Sequence, residues 1–193
     1  MLENLNSYRI ILASNSPRRQ ELLRGLGVDF EVKTLPDVCE DYPSTLSVYD
    51  VAKFIAKEKA EAYTSCLLKN DLIITADTVV ISDGKVLGKP KNRAEACCMI
   101  KQLSGKQHEV VTGVCVQTKD KAVLFDTLTE VLFAELSDDE INYYIDKYSP
   151  YDKAGAYGVQ EWIGYVGVEG IKGSYFNVMG LPVQKLYQVL KGF

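Results

Sequence analysis

Apolar positions along the chain follow two different periods, and the elements they predict alternate between strands and helices. Continuous apolar runs indicate buried strands, whereas apolar residues spaced three and four apart indicate amphipathic helices. The predicted strands cover residues 9–13, 29–33, 72–81, 109–118 and 123–133, with a hairpin partner at 86–88. The predicted helices cover residues 17–26, 48–60, 93–103, 138–148 and 181–190. This interleaved order, without a linker or repeat, predicts an α/β fold in one domain over residues 1–193.

Several element boundaries carry local motifs. Ser16 followed by Pro17 predicts the start of the first helix, because serine is a good N-cap and proline is tolerated at the first helical position. Ser47 is predicted to cap the second helix, and Ser137 opens a capping-box pattern. The segment 150–180 is rich in Gly, Tyr and polar residues and follows neither period.

The overall charge argues against two classes of partner. The chain has 193 residues, with 22 Lys and Arg against 26 Asp and Glu, a net charge of −4. It therefore has no general attraction to nucleic acid or to an anionic membrane. No apolar stretch approaches the roughly 20 residues of a membrane span, and the N-terminus lacks the layout of a signal peptide. We expect a cytoplasmic protein that binds any phosphate group locally.

Cysteine and histidine usage narrows the possible chemistry. The five cysteines show no CxxC spacing, which disfavours a disulfide framework or a zinc site. We expect most of them to be buried, reduced thiols, because free cysteine packs as a small hydrophobic residue. His108 is the only histidine and is expected to be structural. A general base, if one is needed, is then expected to be a carboxylate.

The segment SNSPRR places two arginines in the first turn of a helix. Cations are unfavourable there because the helix dipole is positive at its N-terminus, so an anion is expected to offset them. Ser14, Ser16, Arg18 and Arg19, with nearby backbone N–H groups, are predicted to cradle a phosphate. The alternative is an exposed helix start with incidental basic residues.

Asp77 is unusual because it lies inside an apolar strand. A buried carboxylate is destabilising unless a cation or hydrogen bonds compensate it. A divalent metal ion such as Mg²⁺ would do so, since Mg²⁺ prefers oxygen ligands and often binds one or two carboxylates together with phosphate oxygens. The simpler interpretation is an ion pair between Asp77 and a nearby lysine.

Three lysines occur in different settings. Lys59 lies on a helix face, Lys89 in a Gly-Lys-Pro strand exit and Lys153 in a glycine-rich loop. Each alone is typical of a surface lysine. Together with Arg18 and Arg19 they are predicted to converge on a triphosphate, whose charge of about −4 needs several cations in a cleft.

Six motifs, in this order and over nearly the whole chain, resemble the Maf family of nucleotide pyrophosphatases. They are LASNSPRRQELL, ITADTVV, GKP, LSGKQHEVVTGV, DKAGAYGVQ and GSYFNVMGLP. The resemblance implies an inosine-triphosphatase-like fold, which is a curved mixed sheet flanked by helices, with two lobes around a central cleft. It also implies a homodimer.

The same resemblance implies roles for individual residues. Asp77 matches the family's catalytic acidic residue, assigned as proton acceptor, and Glu40 matches an acidic position that helps to hold the metal. Cys39 stands where many relatives carry Asp, so this loop departs from the family pattern near the metal.

Three positions resemble the subgroup that hydrolyses dTTP and UTP, namely Arg18, Thr78 and Gln160. The subgroup acting on methylated guanine carries Trp, Gln and Glu there instead. The Gln160 amide suits a pyrimidine because it offers both a donor and an acceptor to the base edge. The alternative for Gln160 is a loop amide that bonds to the backbone.

The expected activity is hydrolysis of dTTP and UTP to the monophosphate and pyrophosphate by water attack at the α-phosphorus. Mg²⁺ or Mn²⁺ is expected to bind Asp77 and Glu40, with Asp77 also accepting the proton. Charge on the phosphates would be stabilised by lysine and arginine side chains, and serine hydroxyls would donate to the phosphate oxygens. The residues in these two groups are Lys59, Lys89, Lys153, Arg18, Arg19, Ser14 and Ser16.

Two alternatives stay open from the sequence. One is a pyrophosphatase for modified nucleotides. The other is a nucleotide-sensing or protein-binding regulator of cell division and septum formation, with incidental hydrolysis; such a protein would bind nucleotide tightly without metal-dependent turnover.

Overall fold

The computed structural model describes residues 2–36, 38 and 40–193, and it has the predicted mixed α/β architecture. The strands are β1 Arg9–Leu12, β2 Glu31–Val32, β3 Asp71–Ser82, β4 Lys85–Leu87, β5 Gln107–Gln117, β6 Ala122–Phe133 and β7 Val168–Lys172. The helices are α1 Pro17–Gly25, α2 Val51–Glu61, α3 Arg93–Leu103, α4 Asp138–Tyr148, α5 Trp162–Gly167, α6 Tyr175–Met179 and α7 Val183–Leu190. Asp37 and Cys39, from the predicted acidic loop, lie outside the described residues.

The described strands form one seven-stranded sheet in the order β2-β1-β3-β5-β6-β7, with β4 paired to β3. Strand β1 is parallel to both β2 and β3, whereas β4 is antiparallel to β3 and β7 is antiparallel to β6. Only residues 118–121 join the neighbouring strands β5 and β6, which is too short for a parallel crossover, so they are also antiparallel. The sheet is therefore mixed, as predicted.

The chain divides into two compact units. The first unit runs to Asp77 and also contains Thr112–Thr127 and Gly180–Phe193, whereas the second contains Thr78–Val111 and Leu128–Met179. Each unit buries its own apolar side chains, such as Leu12 and Ile73 in the first. The single domain predicted for residues 1–193 stays a prediction.

Within the first unit, α2 packs directly onto the sheet. A Cβ atom added at Gly113 in β5 would lie 2.4 Å from the carbonyl carbon of Ala52, so only glycine permits this close approach. The buried hydroxyl of Thr75 in β3 donates to the carbonyl oxygen of Ala56 in α2 at 2.7 Å. Helix α2 is thus held against two strands by one close backbone approach and one hydrogen bond.

The local motifs predicted most boundaries correctly. Ser16 caps α1 by accepting from the backbone N–H of Arg19. Ser137 and Glu140 form both bonds of the capping box. The β3–β4 hairpin turns at Asp83 and Gly84, whose φ angles of 51° and 71° are typical of a tight two-residue turn.

One local prediction needs correction. Ser47 does not cap α2, because its hydroxyl accepts from the N–H of Tyr49 and the backbone N–H of Asp50 donates to the Ser47 carbonyl, forming a turn. The helix begins only at Val51. The segment 150–180, which follows neither period, contains α5, β7 and α6.

The prediction that most cysteines are buried thiols is wrong for the described part of the chain. Cys66, Cys97, Cys98 and Cys115 are free thiols there, but only Cys115 is buried. In the same residues, no helix combines the length and the apolar character that crossing a bilayer requires.

Candidate active site

One ammonium group links two carboxylates in the first unit. Lys59 Nζ lies 2.8 Å from Asp77 Oδ1 and 2.7 Å from Glu40 Oε1. The side chains of Lys59 and Asp77 are 15% and 13% exposed, whereas that of Glu40 is 48% exposed. The second oxygen of Asp77, Oδ2, forms no hydrogen bond with the described residues. The predicted lysine partner of Asp77 is therefore Lys59, and one carboxylate oxygen stays available for chemistry.

The sheet explains where Asp77 lies. Parallel strands β1 and β3 are paired up to Leu12 and Ile74, and the N–H of Ala13 extends the pairing to the Ile74 carbonyl. Beyond this point β1 has ended, and its chain turns through Ser14 into α1. Asp77 lies three residues past Ile74, so it follows the paired region at the same edge of the sheet as Ser14.

The SNSPRR segment forms a compact turn at this edge. The buried Ser14 hydroxyl accepts from the backbone N–H of Ser16 at 3.2 Å, and from Arg19 Nη1 at 3.5 Å. The Ser16 hydroxyl accepts from the Arg19 N–H as the helix cap. In each serine the oxygen is the acceptor, so the O–H can still donate to a phosphate oxygen.

Arg19 has a role that the sequence did not indicate. Its Nε donates to the carbonyl of Gly180 and its Nη1 donates to the carbonyl of Ala76, both at 2.9 Å. Desolvation by burial lowers the pKa of Arg19, and the Asp77 carboxylate opposes this effect. The guanidinium therefore braces the backbone immediately before Asp77. Arg18, in the same helical turn, is half-buried.

A second unpredicted residue, Tyr63, holds the loop that leads to Glu40. Its buried hydroxyl donates to the Lys33 carbonyl at 2.9 Å and accepts from the Leu35 N–H at 2.8 Å. Tyr63 follows α2 and packs in a small apolar cluster with Ile11, Leu67 and Ile73. From sequence it is typical of an ordinary core aromatic, and nothing local predicts its bond to a loop 30 residues away.

The second unit holds another lysine between two carboxylates. Lys153 is buried, and its Nζ lies 2.7 Å from Asp152 Oδ1 and 3.1 Å from Glu161 Oε1. The N–H of Gly155, in the same loop as Lys153, donates to the Gly88 carbonyl at 3.1 Å. Lys89 directly follows Gly88 in the sequence and is exposed. Thr78, the first residue of this unit, is half-buried.

Gln160 lies in a short turn of the same unit. The N–H of Glu161 donates to the Gly158 carbonyl at 2.9 Å and closes the turn. The Gln160 Oε1 atom is buried and has no hydrogen-bond partner among the described residues. The alternative that Gln160 bonds to the backbone is therefore not supported at this oxygen, which is available for a donor on a ligand.

The donor set of the first unit fits a divalent cation that a substrate helps to bind. In the described residues no three His, Cys, Asp or Glu side chains are close enough to hold a metal by themselves. Two carboxylates, those of Asp77 and Glu40, do converge on one positive charge. Mg²⁺ typically binds one or two carboxylates and takes its other ligands from phosphate and water.

His108 is structural, as expected. It is buried, its Nε2 lies 2.7 Å from the Tyr157 hydroxyl, and its ring contacts Phe133 edge to face. Burial lowers the pKa of His108 to about 4, so the imidazole is neutral at physiological pH.

Comparisons with known proteins find a matching family model and similar full-length proteins. The model of a family described as Maf-like protein matches residues 9–193. A protein of Bacteroides fragilis named dTTP/UTP pyrophosphatase is 61% identical, over 99% of both chains. Proteins with the same name from Parabacteroides distasonis and Porphyromonas gingivalis are 58% and 54% identical, each over 100% of this chain and at least 98% of theirs. The structure of a HAM1 protein from Coxiella burnetii is 18% identical, with a TM-score of 0.48, over 96% of this chain and 100% of that one.

Proposed function

Because the chain belongs to the family of Maf-like proteins, we propose that it is a pyrophosphatase that hydrolyses dTTP and UTP to the monophosphate and pyrophosphate. Full-length relatives with this activity in their names support the substrate. The structural observation that carries the proposal is the Asp77 carboxylate, which is held on a buried strand by Lys59 through one oxygen only.

Asp77 acts as the proton acceptor in this reaction. A water molecule attacks the α-phosphorus, a new P–O bond forms, and the bond to the β-phosphate oxygen breaks so that pyrophosphate leaves. The Asp77 Oδ2 atom takes the proton from the water, while Lys59 holds Oδ1 and fixes the orientation of the carboxylate. A carboxylate fits this role because the only histidine of the chain is buried elsewhere.

Asp77 and Glu40 would hold a divalent cation, Mg²⁺ or Mn²⁺. When bound, the cation supplies positive charge to the phosphate oxygens and lowers the energy of the developing negative charge.

Cationic side chains stabilise the polyphosphate. Lys59 is the one whose ammonium already lies at the Asp77 carboxylate, and Arg18, Lys89 and Lys153 are proposed to neutralise the other phosphates. Ser14 and Ser16 donate their hydroxyl protons to phosphate oxygens. For Arg19, two bonds to backbone carbonyls support a bracing role beside any phosphate contact.

The base is recognised by Gln160, with Thr78 and Arg18 as further selective positions. The buried Gln160 Oε1, which no described residue bonds, suits the N3–H donor of uracil and thymine. Cytosine has an acceptor at that position.

We also propose a cytoplasmic location and a homodimer. The net charge of −4 supports the further proposal that the protein has no nucleic-acid or membrane partners.

Pyrophosphate release from a panel of nucleotides tests the activity. With Mg²⁺ present, dTTP and UTP should be cleaved at least about tenfold faster than CTP and a methylated GTP, because a mismatched buried polar group is strongly selected against. Excess chelator should stop the reaction and added Mg²⁺ should restore it. The thermal midpoint should stay unchanged under chelation, because the described residues contain no preformed metal site.

A regulator would give a different pattern. Tight binding of nucleotide in the presence of chelator, without pyrophosphate release when Mg²⁺ is added, would contradict the pyrophosphatase proposal. Preference for a modified nucleotide over dTTP and UTP would keep the reaction and change the substrate.

A further inference from the structure

On the basis of the function proposed above, we propose that Tyr144 and Glu161 are positioning residues that set the preference for uracil and thymine by fixing Gln160. Neither needs to touch the nucleotide. They act on the turn from Gly158 to Glu161, which carries Gln160 as its third residue.

The Tyr144 hydroxyl bonds to both ends of this turn. It accepts from the backbone N–H of Gly158 at 3.0 Å and donates to Glu161 Oε2. The side chain is fully buried in α4. Burial, followed by the bond to Glu161, raises the pKa of Tyr144, so the phenol keeps its proton and remains a donor. The two ends of the turn are thereby tied to one rigid ring.

Glu161 connects the same turn to Lys153. Its Oε1 pairs with Lys153 Nζ at 3.1 Å, and its backbone N–H closes the turn onto the Gly158 carbonyl at 2.9 Å. Both carboxylate oxygens and the backbone of Glu161 are therefore engaged. A residue held in this way cannot change its backbone orientation without breaking several bonds, and Gln160 immediately precedes it.

Gly158 leaves the space that Gln160 occupies. A Cβ atom at this position would lie 2.9 Å from Gln160 Nε2 and 2.9 Å from Glu161 Cδ. The two side chains therefore pack against the bare Cα of Gly158. The glycine is needed for close approach, and its substitution would displace the flexible Gln160 amide first.

The unsatisfied Gln160 Oε1 atom indicates that the turn is arranged to accept a hydrogen bond from the base. A buried acceptor without a donor is destabilising unless a ligand supplies the donor. The N3–H of uracil or thymine is such a donor, whereas N3 of cytosine is an acceptor and would face Oε1 unfavourably. Because discrimination depends on the placement of one oxygen atom, the bonds of Tyr144 and Glu161 should control it.

Tyr144→Phe tests this directly, because it removes only the hydroxyl that ties the turn. We expect kcat/KM for UTP to fall about tenfold, mainly through KM, with CTP changed less than about twofold, as for the loss of one aligned hydrogen bond. The ratio of UTP to CTP is the decisive measurement, since a merely structural role would lower both substrates alike.

The neighbouring Tyr143→Phe is the matched control. Tyr143 is exposed, bonds through its hydroxyl only to Lys147 among the described residues, and keeps its ring contact with Trp162 when changed to Phe. Its UTP to CTP ratio should equal that of the unchanged protein. If Tyr144→Phe is poorly folded, Glu161→Gln gives a second test, because it weakens the bonds to Tyr144 and Lys153 and leaves the Gln160 side chain itself unchanged.

Different results would contradict the proposed function and the positioning role of Tyr144 and Glu161. If the unchanged protein cleaves neither dTTP nor UTP, the proposed function fails. If it prefers UTP and the folded Tyr144→Phe or Glu161→Gln variant keeps the same UTP to CTP ratio, or loses both substrates equally, the positioning role is overturned.

Discussion

Two lysines of this protein each bridge two carboxylates, but the two clusters differ in what their acids still offer. In the first unit, Lys59 pairs with Asp77 and Glu40, and Asp77 Oδ2 bonds to none of the described residues. In the second unit, Lys153 pairs with Asp152 and Glu161, and both oxygens of Glu161 are engaged.

The contrast shows that an ion pair by itself does not reveal its purpose. An acid with one uncommitted oxygen can take a proton or bind a cation, whereas an acid with both oxygens bonded holds backbone in place. Asp77 has the first arrangement and Glu161 the second. Three experiments can break or sharpen this distinction.

The largest effect is expected for Asp77→Asn. The amide keeps the shape but cannot accept a proton, so kcat for dTTP should fall about 1000-fold, within the range attributed to general bases. Lys59 keeps Glu40 as its partner, so the free energy of unfolding should change by less than about 1 kcal/mol. Pyrophosphate release and chemical denaturation measure the two quantities. Undiminished turnover would exclude the role of Asp77.

Asp71→Asn is the control from the same strand. Asp71 is also a buried acid paired with a cation, since it accepts from Arg9 Nε and Nη2 at 2.9 Å each. The hydrogen bonds from Arg9 hold the pKa of Asp71 below its usual value. We expect the opposite pattern, a loss of about 2 kcal/mol of stability with turnover within about twofold.

A smaller effect is expected when the two lysines, Lys59 and Lys153, are replaced. Lys59→Met should lower kcat/KM about 100-fold, as expected for the loss of one preorganised cation, and should cost about 2 kcal/mol of stability, because it leaves the Asp77 carboxylate, only 13% exposed, without its cation. Lys153→Met should lower stability by about 2 kcal/mol, because Lys153 is only 8% exposed and Tyr144 keeps Glu161 in place.

Lys57→Met, on the same helix as Lys59, is the control for both. Its partner Glu61 is exposed, and removing such a surface pair should change stability and activity very little. An equal loss of kcat/KM in the Lys59 and Lys153 variants would contradict the distinction between the two clusters.

The smallest effect concerns the pH dependence of stability and tests the structural role of His108 in the second unit. Burial lowers the pKa of His108 from 6.5 to about 4, so the folded state binds this proton less readily than the unfolded state. Stability should be complete above about pH 6.5 and fall as the pH drops towards 4, by about 2 kcal/mol between about pH 7.5 and 5. Denaturation of His108→Gln, which can still reach Tyr157, should lack this component; an identical pH slope in both proteins would contradict it.

Much of the fold was predictable because its signals are local. The capping box at Ser137 and the helix start at Ser16 depend on atoms within three residues, and β3 is a long apolar run. Ser47 misled because the same hydroxyl also stabilises a turn, and sequence does not rank the two. In the segment 150–180, the elements are short and irregular, so no period develops.

At the candidate site, the sequence indicates candidate residues but not the bonds between them. Asp77 was identifiable because a carboxylate in an apolar strand needs a partner, and Lys59 was among the candidates. The bonds from Arg19 to Gly180 and from Tyr63 to Lys33 join positions far apart in sequence, so they depend on the completed fold. Tyr144 carried no signal, because a tyrosine on an amphipathic helix is typical of a core position.

The contact between Thr75 and Ala56 has a consequence for protein engineering. Thr75 lies two residues before Asp77 and Ala56 lies three before Lys59, so this bond and the close approach at Gly113 set the separation of Asp77 and Lys59. The turn that carries Gln160 belongs to other segments of the chain. Libraries that randomise position 160 should therefore leave the bonds that set the separation of Asp77 and Lys59 unchanged, which makes this scaffold a suitable starting point for directed evolution of nucleotide specificity.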